Sequence, residues 1–370
     1  MAVNFSELAV EGVRSLRPYQ PGKPIDELAR ELGLNESDIV KLASNENPMG
    51  PSPKALEAIK AEVADLTRYP DGAGFVLKKT LSEKLSIRPE QITLGNGSSD
   101  ILDFIVRVFV NDGENVVFSQ HAFAIYGLVA KMVGAESIVT PAKDFGHDLD
   151  AMAADINERT RIVFVTNPNN PTGTWNTRDE LVNFLGKVPE HVIVLLDEAY
   201  FEYVHEADYP DGISLLNDYP NLVVTRTFSK AYGLASLRVG YGVSSPELAD
   251  LMNRVRPPFN VDSFALAAAN ATLLDEEYVK KSIALNDAGM AYLTAEFERM
   301  ELSYIPSVGN FISFKVPAGV NAMDVYNGLL CEGVIVRPVA NYEMPEYLRV
   351  SIGTESENQT FISALKTVLS

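Results

Sequence analysis

The sequence predicts an α/β protein with a large domain on a mostly parallel, doubly wound sheet, a smaller α+β C-terminal domain and an N-terminal arm. Short apolar segments rich in β-branched residues alternate with helical patterns from Asn45 onward. After Pro257 and Pro258 this alternation stops, and long helical patterns take over. We therefore expect an arm over residues 1–44, a large domain over 45–257 and a small domain over 258–370.

The predicted strands of the large domain are short apolar runs bounded by Gly, Asn or Pro, as buried strands are. They cover residues 92–94, 116–118, 138–140, 162–166, 192–196, 222–225 and 239–243. Between them, residues 100–110 predict a helix with one apolar face, and Thr177 with Glu180 predicts a capping box. In the arm and the small domain we expect helices over 26–32, 263–300 and 322–332, strands over 311–315, 334–337 and 347–352, and a C-terminal helix.

Composition and charge disfavour several classes of function. The chain has 50 acidic and 31 basic residues and a net charge of -19, which argues against nucleic acid or an anionic membrane surface as a partner. Cys331 is the single cysteine, and no two of the 4 histidines are spaced as a metal-binding pair, so we expect no metal site. The N-terminus lacks a basic secretory region and no apolar run is long enough to span a membrane, so we expect a cytoplasmic protein.

Two charged side chains follow predicted central strands. Asp197 comes directly after the run 192–196, and Lys230 closes the motif TFSK after the strand at 222–225. Open α/β sheets bind ligands at the carboxyl ends of their strands, where desolvation can turn a lysine into an amine nucleophile. Taken alone, Asp197 also fits a helix N-cap or a surface turn, and Lys230 also fits an ordinary surface lysine.

Two loops at other strand ends carry small and polar residues. The motif NPNNPTG (167–173) is rigid and rich in amides, and GNGSSD (95–100) precedes a helix whose N-terminus could bind phosphate. Each loop alone fits a plain turn, and the second matches neither the P-loop nor the dinucleotide-binding pattern. Together with Asp197, Lys230 and Arg238, these loops meet the needs of pyridoxal phosphate: an amine for its aldehyde, an acid for its ring nitrogen and anchors for its phosphate.

Motifs along the whole chain resemble those of one enzyme family. They are PYQPGKP (18–24), SNENP (44–48), RYPD (68–71), NPNNPTG (167–173), DEAY (197–200), SK (229–230), LRVG (237–240), VRP (336–338) and LRVSIG (348–353). In these motifs and their order, the sequence resembles the fold-type I pyridoxal-phosphate aminotransferases, specifically the histidinol-phosphate aminotransferases. The resemblance implies an aspartate-aminotransferase-like fold.

The resemblance also implies a cofactor site at the strand ends. Lys230 would form an imine with the cofactor aldehyde and then shuttle a proton, and Asp197 would pair with the ring nitrogen. Tyr200 and Asn170 would hydrogen-bond the ring oxygen, and Phe123 would stack on the ring. The cofactor phosphate would contact Gly97, Ser98, Ser99, Thr227, Ser229 and Arg238, and also Tyr69 from a second subunit. A homodimer with shared active sites follows from that last contact.

The substrates implied by the resemblance are histidinol phosphate and glutamate or 2-oxoglutarate. Arg349 and Arg337 would bind their anionic groups, while Tyr19 and Asn45 would line the same site. For Arg337, a structural ion pair is the competing interpretation. The expected reaction is transamination between histidinol phosphate and 2-oxoglutarate, giving imidazole acetol phosphate and glutamate. Three alternatives stay open: an aromatic amino-acid aminotransferase, a pyridoxal-phosphate decarboxylase and a non-catalytic pyridoxal-phosphate-binding regulator.

Overall fold

A computed structural model describes residues 3–16 and 22–370 of the chain. The strands are β1 (Val40–Lys41), β2 (Ile92–Gly95), β3 (Asn115–Ser119), β4 (Glu136–Thr140), β5 (Thr160–Thr166), β6 (Ile193–Asp197), β7 (Leu222–Thr227), β8 (Gly240–Val243), β9 (Tyr304–Ile305), β10 (Phe311–Lys315), β11 (Val334–Ile335), β12 (Arg337–Pro338) and β13 (Tyr347–Ser351). In the large domain these bounds agree closely with the strands predicted from the apolar runs. The predicted strand 334–337 is instead two short strands, β11 and β12, which lie in different sheets, and β1 and β9 were not predicted.

The α-helices are α1 (Phe5–Leu8), α2 (Glu11–Arg14), α3 (Ile25–Leu32), α4 (Pro53–Glu62), α5 (Phe75–Leu85), α6 (Ser98–Phe109), α7 (Ile125–Met132), α8 (Leu149–Ala154), α9 (Arg178–Leu185), α10 (Pro246–Val255), α11 (Ser263–Leu273), α12 (Glu276–Arg299), α13 (Ala322–Cys331) and α14 (Glu355–Leu369). The capping box predicted for Thr177 and Glu180 begins α9. Among the described residues, no helix combines the length and the apolar character needed to cross a membrane.

A seven-stranded sheet dominates the part of the chain that the structure describes. Its strand order is β2-β8-β7-β6-β5-β3-β4. Strands β7, β6, β5, β3 and β4 are parallel, whereas β8 runs antiparallel to both of its neighbours. The carboxyl ends of β2, β5, β6 and β7 therefore lie along one edge of the sheet, as ligand binding in an open α/β sheet requires. This topology confirms the predicted fold class.

Both faces of the sheet are covered by helices, which explains why its central strands are apolar throughout. Val163 and Val165 of β5 face a core that includes residues of α4, α5, α9 and α11. Ile162 and Phe164, which alternate with them, face a second core formed with α6, α7 and α10. The sheet is thus held on both sides, and its carboxyl edge is the part left for a ligand.

A second, four-stranded antiparallel sheet lies in the C-terminal part, with the order β12-β13-β10-β9. Helices α12, α13 and α14 pack against it around Phe297, Phe314 and Phe361. The predicted helical stretch 263–300 is two helices, and the first of them, α11, packs in the core of the large sheet. The domain division at residue 257 stays a prediction.

The segment before the large sheet connects the two parts of the molecule. Strand β1 pairs in parallel with β11, so Val40 lies opposite Val334. The backbone N–H of Ser351 then donates to the carbonyl of Leu42 at 2.8 Å. Residues just after Leu42 are thereby held between the large sheet and the C-terminal sheet.

We predict that Phe297→Ala lowers the free energy of unfolding by about 3–5 kcal/mol, because it empties a large buried site. Phe297 is fully buried and its ring stacks on Phe314 at 5.0 Å. Urea unfolding followed by circular dichroism measures the change. Leu274→Ala, at a position that is 60% exposed, is the control and should change stability by less than about 0.5 kcal/mol. Equal losses in the two variants would contradict this account of the core.

Candidate active site

A cavity of about 480 Å³ opens at the carboxyl edge of the large sheet, against the C-terminal sheet. It is lined by Gly22, Ala43, Ser44, Asn45, Glu46, Ser98, Ser99, Phe123, Thr166, Asn170, Asp197, Ala199, Tyr200, Thr227, Ser229, Lys230, Ala235, Arg238, Arg337, Tyr342 and Arg349. Most of the side chains predicted to bind cofactor and substrate therefore surround one space. Their individual roles stay predictions.

Lys230 enters this cavity from the loop that follows β7. Its Nζ donates a hydrogen bond to the carbonyl of Ser44 at 3.0 Å. Burial, together with the nearby guanidinium of Arg349 and against the opposing effect of Glu46, lowers the pKa of Lys230 from 10.5 to about 8. A larger fraction of this amine is therefore neutral near neutral pH than of an ordinary lysine. Such an amine can act as a nucleophile and as a base near neutral pH.

Asp197 is the last residue of β6, and its carboxylate is held by neutral donors. Thr225 donates to Oδ1 at 2.9 Å, and the hydroxyl of Tyr126 donates to Oδ2 at 3.1 Å. Burial raises the pKa of Asp197, while the hydrogen bonds from Thr225 and Tyr126 oppose that rise. The carboxylate is thus fixed in orientation, and its burial favours a cationic partner in the cavity.

Tyr126 is a residue that the sequence analysis missed. Its side chain is fully buried, its ring stacks on Phe164 at 4.6 Å, and its hydroxyl also lies 2.7 Å from Oγ1 of Thr166. Phe123, which lines the cavity, packs edge-on against the Tyr126 ring at 6.0 Å. A buried tyrosine needs a partner for its hydroxyl, and its position three residues after Phe123 was the available signal.

Tyr200 and Asn45 form a second buried pair beside Lys230. The amide Nδ2 of Asn45 donates to the hydroxyl oxygen of Tyr200 at 2.9 Å. Burial raises the pKa of Tyr200 to about 12, although Arg349 opposes the rise. The phenol therefore keeps its proton at neutral pH and can donate it to a ligand oxygen. Asn170 lies in the same wall, where its Oδ1 accepts a hydrogen bond from Arg349.

The start of α6 and the side chain of Arg238 together form an anion-binding corner. The first N–H groups of a helix have no partner inside the helix, and they favour negative charge. Gly97 has a φ of +82°, and a Cβ placed there would lie 2.3 Å from Nη2 of Arg238. A Cβ at Gly240 would lie 2.4 Å from the backbone nitrogen of Ser98. Both glycines are thus required for the close approach of the helix start and the guanidinium.

Further polar groups of the β7 loop complete this corner. The Nη1 of Arg238 donates to Oγ of Ser229 and to the carbonyl of Ala235, each at 3.2 Å. Oγ1 of Thr227 accepts from the backbone N–H of Ser229 at 3.1 Å. Ser98 and Ser99, at the start of α6, line the same cavity. Hydroxyls, backbone N–H groups and one guanidinium suit a phosphate, with Lys230 and Asp197 in the same cavity, so these residues fit pyridoxal phosphate.

Arg337 and Arg349 lie opposite each other on neighbouring strands. Arg337 of β12 is paired in register with Arg349 of β13, and both side chains line the cavity. Arg349 is buried, donates through Nη2 to the carbonyl of Ala43 at 2.7 Å, and lies 5.3 Å from the ring of Phe311. Two guanidiniums on paired positions of one cavity wall are suited to anionic groups, and the substrate-binding role of both arginines stays a prediction.

One predicted residue, Tyr69, lies apart from this cavity. Tyr69 is 82% exposed and stacks on Phe259 at 4.7 Å, so it does not line the cavity of its own chain. Tyr19 lies outside the described residues. Its predicted contact with substrate therefore stays a prediction.

We predict that Tyr126→Phe lowers kcat about 10- to 100-fold, because a hydrogen bond to a charged group contributes about 1.5–3 kcal/mol. The phenyl ring at position 126 can still stack on Phe164. Asp197 loses one hydrogen-bond donor, so the pKa of Asp197 rises further. The acid limb of the pH profile of kcat should accordingly move to higher pH. Tyr304→Phe, which removes a 3.1 Å hydrogen bond to the exposed Glu298, is the control. An unshifted acid limb in Tyr126→Phe would refute the interpretation.

Comparisons with known proteins agree with this geometry. The family model for aminotransferase class I and II matches residues 37–365. Histidinol-phosphate aminotransferase 2 of Pseudomonas fluorescens (strain Pf0-1) is 59% identical over 369 residues, covering 100% of this chain and 99% of the relative.

Two solved structures extend the comparison to the fold. The crystal structure of histidinol-phosphate aminotransferase from Sinorhizobium meliloti in complex with pyridoxal-5'-phosphate has a TM-score of 0.88 at 29% identity, covering 97% of each chain. A Thermus thermophilus aspartate aminotransferase shares the fold with a TM-score of 0.85 at 20% identity, covering 97% of this chain and 98% of its own. The expected aspartate-aminotransferase-like fold is thereby confirmed. The chain belongs to the class I and II aminotransferase family and, within it, to the histidinol-phosphate aminotransferases.

Proposed function

We propose that this chain transfers an amino group between histidinol phosphate and 2-oxoglutarate with pyridoxal phosphate as cofactor, giving imidazole acetol phosphate and glutamate. This is the aminotransferase step of histidine biosynthesis. The observation that carries the proposal is one cavity that holds a lysine amine of lowered pKa, a buried carboxylate and two adjacent arginines. Full-length identity of 59% to a histidinol-phosphate aminotransferase supports the substrate.

When bound, pyridoxal phosphate supplies an aldehyde for an amine and a ring that withdraws electrons from the reacting carbon. Lys230 contributes an amine that would hold the cofactor at its aldehyde carbon. Once the substrate amine has displaced it there, the freed amine of Lys230 would accept and return the proton of the substrate carbon. Asp197 would keep a proton on the ring nitrogen, since its buried carboxylate favours a cationic neighbour. Tyr200, protonated at neutral pH, would donate to the ring oxygen together with the amide of Asn170.

The remaining residues bind and orient. The helix start at Ser98 and Ser99, with Thr227, Ser229 and Arg238, would hold the cofactor phosphate. Arg349 and Arg337 would bind the anionic groups that both substrates carry: carboxylates in glutamate and a phosphate in histidinol phosphate. One pair of guanidiniums can serve both, because the planar fork matches either anion.

The proposal includes a homodimer in which Tyr69 completes the site of the neighbouring subunit. Around Tyr69, the chain exposes apolar side chains that a monomer would leave in water: Leu66, Phe75, Val76 and Phe259 are between 45% and 67% exposed. Beside them, a groove of about 450 Å³ is lined partly by Ala58, Leu77, Leu266 and Ala267. Exposed apolar side chains in this number, next to a groove with apolar lining, are typical of a subunit interface.

A cytoplasmic location completes the proposal. Cys331 is free and exposed. Free, exposed thiols are typical of proteins kept in a reducing compartment.

We predict that the purified holoenzyme forms glutamate from histidinol phosphate and 2-oxoglutarate faster than from phenylalanine and 2-oxoglutarate. Lys230→Ala should lower the rate about 10²- to 10⁴-fold, which is the usual effect of losing a general acid–base group. Lys187→Ala, which removes an exposed lysine paired with Asp150, is the control. Faster turnover of phenylalanine would assign the chain to the aromatic amino-acid aminotransferases. Release of CO2 from a phosphorylated amino acid in the absence of 2-oxoglutarate would indicate a decarboxylase.

A further prediction tests the shared site by mixing inactive subunits. A hybrid of Tyr69→Ala and Lys230→Ala subunits has one site with both wild-type residues, so random pairing should recover about a quarter of the wild-type activity. The control hybrid combines Arg349→Ala with Lys230→Ala. These two residues line the same cavity, so no site is complete and activity should not return. Recovery in both mixtures, or in neither, would contradict a site shared through Tyr69.

A further inference from the structure

The charges around the cavity are unequal in number. Among the described lining residues, the cations are Lys230, Arg238, Arg337 and Arg349, and the carboxylates are Asp197 and Glu46. The cations suit the phosphate and carboxylate groups of cofactor and substrates. Asp197 is buried and already accepts from Thr225 and Tyr126. Within the described lining, Glu46 is therefore the carboxylate that a donor group of a substrate can reach.

The backbone that carries Glu46 is held on several sides. The preceding residue, Asn45, is buried with a φ of +53°. Its N–H donates to Oγ of Ser351 at 2.8 Å, and its carbonyl accepts from Nδ2 of Asn310 at 3.0 Å. Its side chain donates to Tyr200 at 2.9 Å. Glu46 thus extends from a fixed point beside the reacting groups, which is the arrangement that a specificity contact needs.

The carboxylate of Glu46 keeps room for another donor. Its side chain is 48% exposed, and Nζ of Lys41 lies 3.4 Å from Oε2. That distance is longer than a charged hydrogen bond of about 2.7–2.9 Å. A half-exposed pair of this kind is weak, and a carboxylate can accept about four hydrogen bonds. A ligand N–H can therefore bind here without first breaking a strong interaction.

We propose that Glu46 is a specificity-determining residue that accepts a hydrogen bond from the imidazole N–H of the substrate. The inference rests on the proposed function and adds to it the recognition of the imidazole ring, the group that distinguishes histidinol phosphate from glutamate. The phosphate group of histidinol phosphate suits the arginines. The imidazole carries an N–H donor and gains positive charge near pH 6.5. Glutamate has carboxylates instead of an imidazole, so a negative charge at Glu46 opposes glutamate and favours the imidazole substrate.

The test compares Glu46→Gln with the wild-type holoenzyme on three substrates. These are histidinol phosphate, the analogue with phenyl in place of imidazole (2-amino-3-phenylpropyl phosphate), and glutamate. We expect kcat/KM for histidinol phosphate to fall about 10-fold or more, since a charge-assisted hydrogen bond is replaced by a neutral one. The ring of the phenyl analogue has no N–H, so kcat/KM for this analogue should change less than about 3-fold. The KM for glutamate should fall, because a repelling charge is removed.

Glu346→Gln is the matched control, because Glu346 is an exposed carboxylate paired with Lys315 at 2.9 Å and does not line the cavity. It should leave all three substrates at wild-type values. Equal losses on histidinol phosphate and the phenyl analogue would refute the proposed hydrogen bond and indicate that Glu46 acts on the structure of its loop. The absence of any change would also refute the proposal. Failure of the wild type itself to turn over histidinol phosphate would instead overturn the proposed function, and this inference with it.

Discussion

The carboxylate of Asp197 at the end of β6 is the constraint on which the architecture of the site depends. It is 3% exposed and takes hydrogen bonds from Thr225 and Tyr126, both of them neutral donors. Removing a charge from water costs several kcal/mol of desolvation free energy, and neutral hydrogen bonds offset only part of this cost. A cation on the open side stabilises such a carboxylate, and Lys230 in the same cavity lowers the pKa of Asp197 against the effect of burial. The site is therefore arranged around a buried negative charge and the amine that faces the same space.

The sequence predicted the large sheet well because its information is local. Each central strand is a short apolar run, and the structure extends those runs by only a few residues, as in β5 (Thr160–Thr166) and β7 (Leu222–Thr227). The antiparallel direction of β8 could not be read in this way, since an apolar strand has the same pattern in either direction. The break between α11 and α12 was also missed, because both helices have helical periodicity and the break depends on packing.

The same distinction, between local sequence pattern and tertiary packing, separates the site residues that could be predicted from those that could not. Asp197 and Lys230 could be found because each follows a strand that the pattern identifies, and Arg238 because it lies shortly after Lys230. Tyr126 could not, because its contact with Asp197 joins residues 71 positions apart and depends on how α7 packs on the sheet. Glu46 lies inside a motif that the sequence analysis used, but a motif does not tell which of its side chains faces the cavity.

The cavity wall is built from segments that are far apart along the chain. The hydrogen bonds from Asn45 to Ser351 and from Arg349 to Ala43 each join residues separated by 306 positions. The seven-stranded sheet is complete once Val243 has been made, whereas the pocket beside it needs strands from the last part of the polypeptide. Synthesis on the ribosome proceeds from the N-terminus, so the sheet can form early. Its apolar and charged edge then stays uncovered until the C-terminal sheet has been made. A nascent chain that stalls between residues 243 and 351 would therefore present a folded sheet with half of a pocket, a surface that chaperones and proteases can recognise.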